Sequence, residues 1–152
     1  MKQKYIDLYM DWAERAAQLS HARRLQVGAV IVKDDSVISY GYNGMPAGWD
    51  NNCEDEISYP DAEGITLKTK PEVLHAESNA IAKLAKSSNS GDGADIFITH
   101  APCLDCAKLI YQAGIKQVLF GTHYRDSAGL DFLEASGVVV STPEMREFAK
   151  KH

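Results

Sequence analysis

Two short motifs restrict this chain more than anything else in it: His75-Ala76-Glu77 and Pro102-Cys103-Leu104-Asp105-Cys106. Apolar residues recur after Glu77 at Ala80, Ile81 and Leu84, so Glu77 opens one face of a helix. A carboxylate on a buried stripe loses its hydration unless its pKa rises or a cation faces it. Either condition suits a group that moves protons. Cys103, Cys106, Ala107 and Ile110 share one face of a second helix, which Pro102 is expected to introduce, with both sulfurs in its first turn. Unpaired backbone N–H groups and the positive end of the helix dipole favour thiolates there.

His75 and Glu77 impose a geometric condition. Side chains two apart on a regular helix point in roughly opposite directions, so they share a site only if His75 stands at the very start of the helix. Given that, an imidazole and two thiolates supply three donors. Three protein ligands plus a water is the open arrangement of a catalytic zinc, whereas structural sites are closed by a fourth. A lone C-x-x-C also serves as a redox pair, a lone H-x-E as a surface helix start, and structural zinc is a third reading. The two motifs together, in this order and each on an apolar face, favour the catalytic metal. Cys53 stands outside the motifs with no His or Cys cluster near it and reads as a packing thiol.

The rest of the chain predicts an α/β fold. Its 152 residues suit a single domain, 1–152. Ile6, Tyr9, Met10, Ala13 and Ala17 mark an amphipathic helix over 5–20. Strands over 26–32 and 37–42, joined by the polar turn 33–36, form a hairpin whose first strand is apolar enough to be buried on both faces. In the Gly/Asn/Pro-rich turn 41–46, Asn43 reads as a turn residue tolerating a left-handed backbone. Residues 47–74 lack periodicity and read as a long insertion loop framing the site entrance. Beyond the His75 helix come a strand over 96–99, the Cys103 helix ending at a Gly114 cap, a strand over 116–120, and a loop at 123–126. A helix around 130–135, a strand over 138–140 and a polar tail from Pro143 complete the chain. Helices alternating with the later strands imply parallel crossovers, hence three α/β/α layers around a mixed five-stranded sheet, with the site at strand ends and helix starts.

Net charge of −5 and a pI near 5.5 speak against a general nucleic-acid binder. A phosphate-bearing ligand would need arginines focused locally, and Arg23-Arg24 in the basic link 20–25 is either a solvated loop or such a contact. The longest apolar run, 28–32, is too short to span a membrane, and no charged-then-apolar leader opens the chain. Three cysteines give no disulfide framework and suit a reducing cytoplasm.

H-A-E followed by P-C-x-x-C is the signature of zinc nucleobase deaminases. With V-G-A-V-I-V at 27–32, G-Y-N-G-M-P-A-G at 41–48, H-A-E-S-N-A-I at 75–81, P-C-L-D-C-A-K at 102–108 and Tyr124-Arg125, the chain resembles the cytidine deaminase-like superfamily. Within it, the G-Y-N-G-x-P turn and the insertion before the histidine resemble the deoxycytidylate (dCMP) deaminases, phage-type members included. The resemblance implies that His75, Cys103 and Cys106 hold zinc and that Glu77 carries a proton from the activated water to the leaving ammonia. It implies that Asn43 contacts the sugar, overriding the turn-residue reading, that Ser78 lines the base pocket, and that Tyr124, Arg125 and one of Arg23 and Arg24, with Arg24 the choice, meet the phosphate. It also implies a dUMP product feeding thymidylate synthesis, a homohexamer activated by dCTP and inhibited by dTTP, and Mg2+ accompanying the triphosphate. Some relatives carry a second zinc near the insertion, and this chain lacks the extra histidines for it. Free cytosine or guanine, a cytidine nucleoside and tRNA adenosine are rival substrates, and a zinc-bearing silent subunit is a rival role that an intact Glu77 opposes.

Overall fold

A computed structural model describes residues 1–61 and 63–145. The elements run α1 (Gln3–Ala17), β1 (Gly28–Lys33), β2 (Ser36–Tyr42), β3 (Glu54–Ile57), β4 (Thr66–Thr69), α2 (Ala76–Ala85), β5 (Asp95–His100), α3 (Leu104–Gln112), β6 (Gln117–Thr122), α4 (Ala128–Ala135) and β7 (Val139–Ser141). The main sheet has the order β2-β1-β5-β6-β7, and β3-β4 is a separate ribbon. β1 is antiparallel to β2 and β5, while β5, β6 and β7 are parallel, so the sheet is mixed and five-stranded as predicted.

Strand alternation sorts the core into two halves. Ala29, Ile31, Ile96, Ile98 and Val118 pack against Ala76, Ala80 and Leu84 of α2, Ala107 and Ile110 of α3, and Leu133 of α4. Their neighbours Val30, Val32, Phe97 and Leu119 meet Ile6, Tyr9, Met10 and Ala13 of α1 on the other side. One helix therefore covers one face and three cover the opposite face, giving the α/β/α layers. β1 is buried on both faces through Val32.

Local chemistry sets the ends of the elements. Asp34 and Asp35 have φ of 51° and 58°, the pairing of positive values that a two-residue hairpin needs to match strand twist. Gly114, at φ 82°, closes α3: its N–H reaches Tyr111 O at 3.0 Å and the Ile115 N–H reaches Ile110 O at 3.3 Å. β1 starts at Gly28 and not at 26, because the Val27 N–H is taken by Asn43 Oδ1 at 2.9 Å. α3 starts at Leu104, with Cys103 in extended backbone, so Pro102 precedes the cap and does not occupy the first helical position. The 47–74 segment is no bare loop, since it carries the β3-β4 ribbon. Of the predicted polar tail, residues 143–145 are helical and the remainder lies outside the described residues.

α2 carries two site residues, and three side chains tie it to β2. Ser39 Oγ donates to Ala80 O at 2.7 Å, Asn79 Nδ2 to Tyr42 O at 2.8 Å, and Lys83 Nζ to Tyr40 O at 2.7 Å. Gly41 lets the helix backbone come this close: a Cβ there would overlap the Ala76 carbonyl and stand 2.7 Å from Ala80 N. Gly41→Ala is expected to lower stability by about 2 kcal/mol, the cost of forcing a methyl into a filled contact. A urea midpoint that does not move would show that α2 shifts without cost.

Candidate active site and metal centre

His75 is the N-cap of α2, with φ −80° and ψ 154°. That extended backbone meets the geometric condition, because the imidazole leaves the helix before regular spacing begins and Glu77 sits one residue into it. Leu74 is fixed by a two-way bridge to Gly44, with N–H to O distances of 2.8 and 3.0 Å. The G-Y-N-G turn therefore places the histidine. Cys103 is the extended N-cap of α3, at φ −70° and ψ 170°, and Cys106 lies one turn on. The His75 side chain does not bond back to its helix, which leaves it free for a ligand, and the Cys103 sulfur receives the Cys106 backbone N–H, which favours its thiolate.

The sulfurs of Cys106 and Cys103 lie 3.3 and 3.6 Å from His75 Nδ1. Tetrahedral zinc with ordinary Zn–S and Zn–N bonds requires S···N of about 3.6 Å. Among the described residues these three donors form a cluster whose ligand atoms all lie within 4.8 Å of one another. Two soft sulfurs and one imidazole suit zinc, and three donors leave a fourth position open. Glu77 is 4% exposed beside them.

Titration divides the cluster. Cys103 is held at about 4 by its hydrogen bond from Cys106, reinforced by His75, so it is a thiolate. The Cys106 thiol is pushed up because it donates to that thiolate and is buried. His75 is raised above 6.5 chiefly by its contact with Cys103. Burial raises Glu77, opposed by a hydrogen bond from Cys106. Glu77 is thus poised to hold a proton, as a shuttle must.

A pocket opens over the donors. Arg24, Asn43 and Tyr124 line it together with His75, Glu77 and Cys103. Ser78 and Arg125 are not among the lining residues: Ser78 Oγ donates to His75 O at 2.9 Å, and Arg125 is exposed. Asn43 has a negative φ, so no left-handed turn explains it. Its amide bridges the pocket wall, accepting from Val27 N–H and donating to Leu25 O at 2.8 Å, and each end keeps one unused site. Cys53 is buried with Ala22 and Val73, its thiol raised by burial, in keeping with a packing role.

Among the polar lining residues, sequence reasoning missed His100, Glu54 and Thr69. His100 ends β5, its Nδ1 2.8 Å from Thr99 Oγ1, and burial lowers its pKa. Its place three residues before Cys103 was the available signal. Glu54 and Thr69 offer none, because the ribbon that carries them has the sequence of a loop.

An open His/Cys/Cys donor set with a buried carboxylate, at the strand ends of an α/β/α sheet, fits the class of zinc hydrolases. Residues 3–122 match the family described as the cytidine and deoxycytidylate deaminase zinc-binding region. ComE operon protein 2 of Bacillus subtilis (strain 168) is 38% identical, over 91% of this chain and 71% of its own length. The deoxycytidylate deaminase of Homo sapiens is 40% identical, over 82% and 72%. The dCMP deaminase of cyanophage S-TIM5, crystallised with dCMP and dUMP, superposes with a TM-score of 0.83 at 43% identity, over 93% of this chain and 98% of that one. The chain belongs to the cytidine and deoxycytidylate deaminase family, and it is a deaminase.

Metal affinity should depend on pH in one direction. His75 must lose its proton to offer Nδ1, and Cys106 must lose its proton to bind, so protons compete with zinc. Because His75 is raised, competition begins above its ordinary 6.5 and deepens as pH falls. Zinc content after chelator dialysis at stepped pH should therefore decline steadily from neutrality downward, and a content unchanged at pH 5 would contradict this donor set.

Proposed function

We propose that the chain hydrolyses dCMP to dUMP and ammonia. The observation that carries the reading is the buried Glu77 carboxylate beside an open three-donor set, in a pocket whose wall also bears Arg24 and Tyr124. The named relatives and the cyanophage nucleotide complex support the choice of substrate.

His75, Cys103 and Cys106 would hold zinc, which when bound supplies a Lewis acid that brings the pKa of a water toward ~7. Glu77 takes one proton from that water and delivers it to ring N3. The oxygen bonds to C4, Glu77 passes the second proton to the exocyclic nitrogen, the C4–N4 bond breaks, and ammonia leaves. Asn43, with a spare N–H and a spare lone pair, would meet the sugar. Arg24 and Tyr124 would meet the phosphate, with Arg125 from the same exposed loop as Tyr124 as a further donor. Ser78 acts on the site through the His75 carbonyl, which its hydroxyl holds.

The reading extends, on the family resemblance, to activation by dCTP and inhibition by dTTP, Mg2+ with the triphosphate, a homohexamer of single-domain chains in the cytoplasm, and dUMP supplied to thymidylate synthesis. No helix among the described residues is long and apolar enough to cross a membrane. Ultraviolet-monitored turnover of dCMP, deoxycytidine and CMP by zinc-loaded protein, with and without dCTP and Mg2+, tests both levels. Selective loss of dCMP absorbance supports the substrate, and no turnover on any cytidine compound overturns it.

Glu77→Gln removes the proton carrier while keeping shape. Turnover should fall at least ~100-fold, the lower range for general acid–base groups, with zinc retained near one per chain. Loss of zinc together with activity would make Glu77 structural. Arg24→Ala should raise the KM for dCMP far more than that for deoxycytidine.

A further inference from the structure

We propose that one rung of the β3-β4 ribbon, Glu54 paired with Thr69, presents Arg24 to the substrate phosphate, and this rests on the dCMP reading above. The two residues are direct partners in the ladder. Glu54 is 1% exposed, and its carboxylate accepts the Arg23 N–H at 3.2 and 3.0 Å and the Arg24 N–H at 3.1 Å. It therefore fixes the backbone of the basic link. Thr69 takes the other end: Arg24 Nη1 donates to Thr69 Oγ1 at 3.5 Å. Both rung residues line the same pocket as Arg24.

The rung also sorts the two arginines. Arg23 Nε lies 3.6 Å from Glu54, and its Nη1 lies 2.8 Å from Glu56 with Nη2 3.3 Å from Asn52. Its charge is spent on β3, and it offsets the Glu54 carboxylate that would otherwise repel an anion. Arg24 has no carboxylate within ion-pair distance among the described residues. One long hydrogen bond to a neutral hydroxyl orients the guanidinium and leaves most of its five N–H donors for a ligand. A donor already in place loses less freedom when it binds. Glu54 and Thr69 are accordingly positioning residues that select a nucleotide over a nucleoside.

The test compares the KM and kcat for dCMP with inhibition constants for dUMP and deoxyuridine, which report binding with and without phosphate. Thr69→Val, nearly isosteric, should raise the KM for dCMP and the constant for dUMP about five-fold, the effect of one modest hydrogen bond. The constant for deoxyuridine should move less, the change should fall on KM rather than kcat, and Thr69→Ser should recover most of the loss. Glu54→Gln should act in the same direction and more strongly. In an Arg24→Ala background the Thr69→Val effect should vanish. Equal losses for dUMP and deoxyuridine, or additivity with Arg24→Ala, would overturn the proposal. If Glu54→Gln fails to fold, judged by zinc content and cooperative unfolding, the Thr69 series decides alone. Arg24→Ala selective against dUMP beside a neutral Thr69→Val would sink the rung and leave the phosphate reading intact. Arg24→Ala without selectivity would sink both.

Discussion

Two helix starts held face to face are the constraint on which the rest depends. His75 and Cys103 occupy the cap positions, and at His75, where a Ser, Thr or Asp would ordinarily bond back to the helix, that omission costs about 1 kcal/mol. Metal binding would offset that cost, because a donor set that exists only in the folded chain couples its binding free energy to folding. Packing contacts bring the two starts together. On the α2 side, Ser39, Asn79 and Lys83 hold the helix to β2 across the close contact at Gly41. On the α3 side, α4 presses on the cysteine loop at Gly129, where a Cβ would overlap the Pro102 carbonyl.

Within that frame, burial and hydrogen bonding pull two acids of the same cluster apart. Cys103 is only half-buried and receives hydrogen bonds, so its thiolate is favoured. Glu77, one residue into a packed helix, is desolvated more than its hydrogen bonds compensate, so its pKa is raised above the usual carboxylate range. Groups whose environments separate their pKa values in this way can divide the labour of a hydrolytic site, the low one suited to a cation and the raised one to a proton.

What was legible in the sequence was what periodicity and local chemistry dictate. The stripes through α1, α2 and α3, the apolar strands, the Asp34-Asp35 turn and the Gly114 cap are local, and the order of elements then leaves few topologies. The His75, Cys103 and Cys106 cluster was legible because its spacing survives folding: His75 and Glu77 can share a site only at a helix start, and that is where His75 stands. Tertiary contacts hid the rest. β3 reads Glu-Asp-Glu-Ile, too charged to announce a strand, and it exists because Glu54 finds the Arg23 and Arg24 amides from the far side of a long loop. The resemblance implies that Ser78 lines the base pocket through its backbone or hydroxyl, and the hydroxyl bonds to His75 O. Asn43 shows both sides of the problem: its motif pointed to function, while its two backbone partners, Leu25 and Val27, lie many residues away and carry no sequence signal.

The acidic balance of the chain opposes an anionic substrate only over long distances. At physiological ionic strength exposed charges are screened beyond about 8 Å, so a net charge of −5 spread over the surface matters little inside a pocket. What matters there is which charges remain uncompensated within contact distance. Glu54 would be the adverse one, and it is answered by three N–H contacts and the Arg23 side chain. Arg24 is left as the basic group of the pocket wall, free of carboxylates. An acidic chain can therefore receive a phosphate by local pairing, and the insertion that looked like an irregular loop is what decides which of two adjacent arginines remains free to do so.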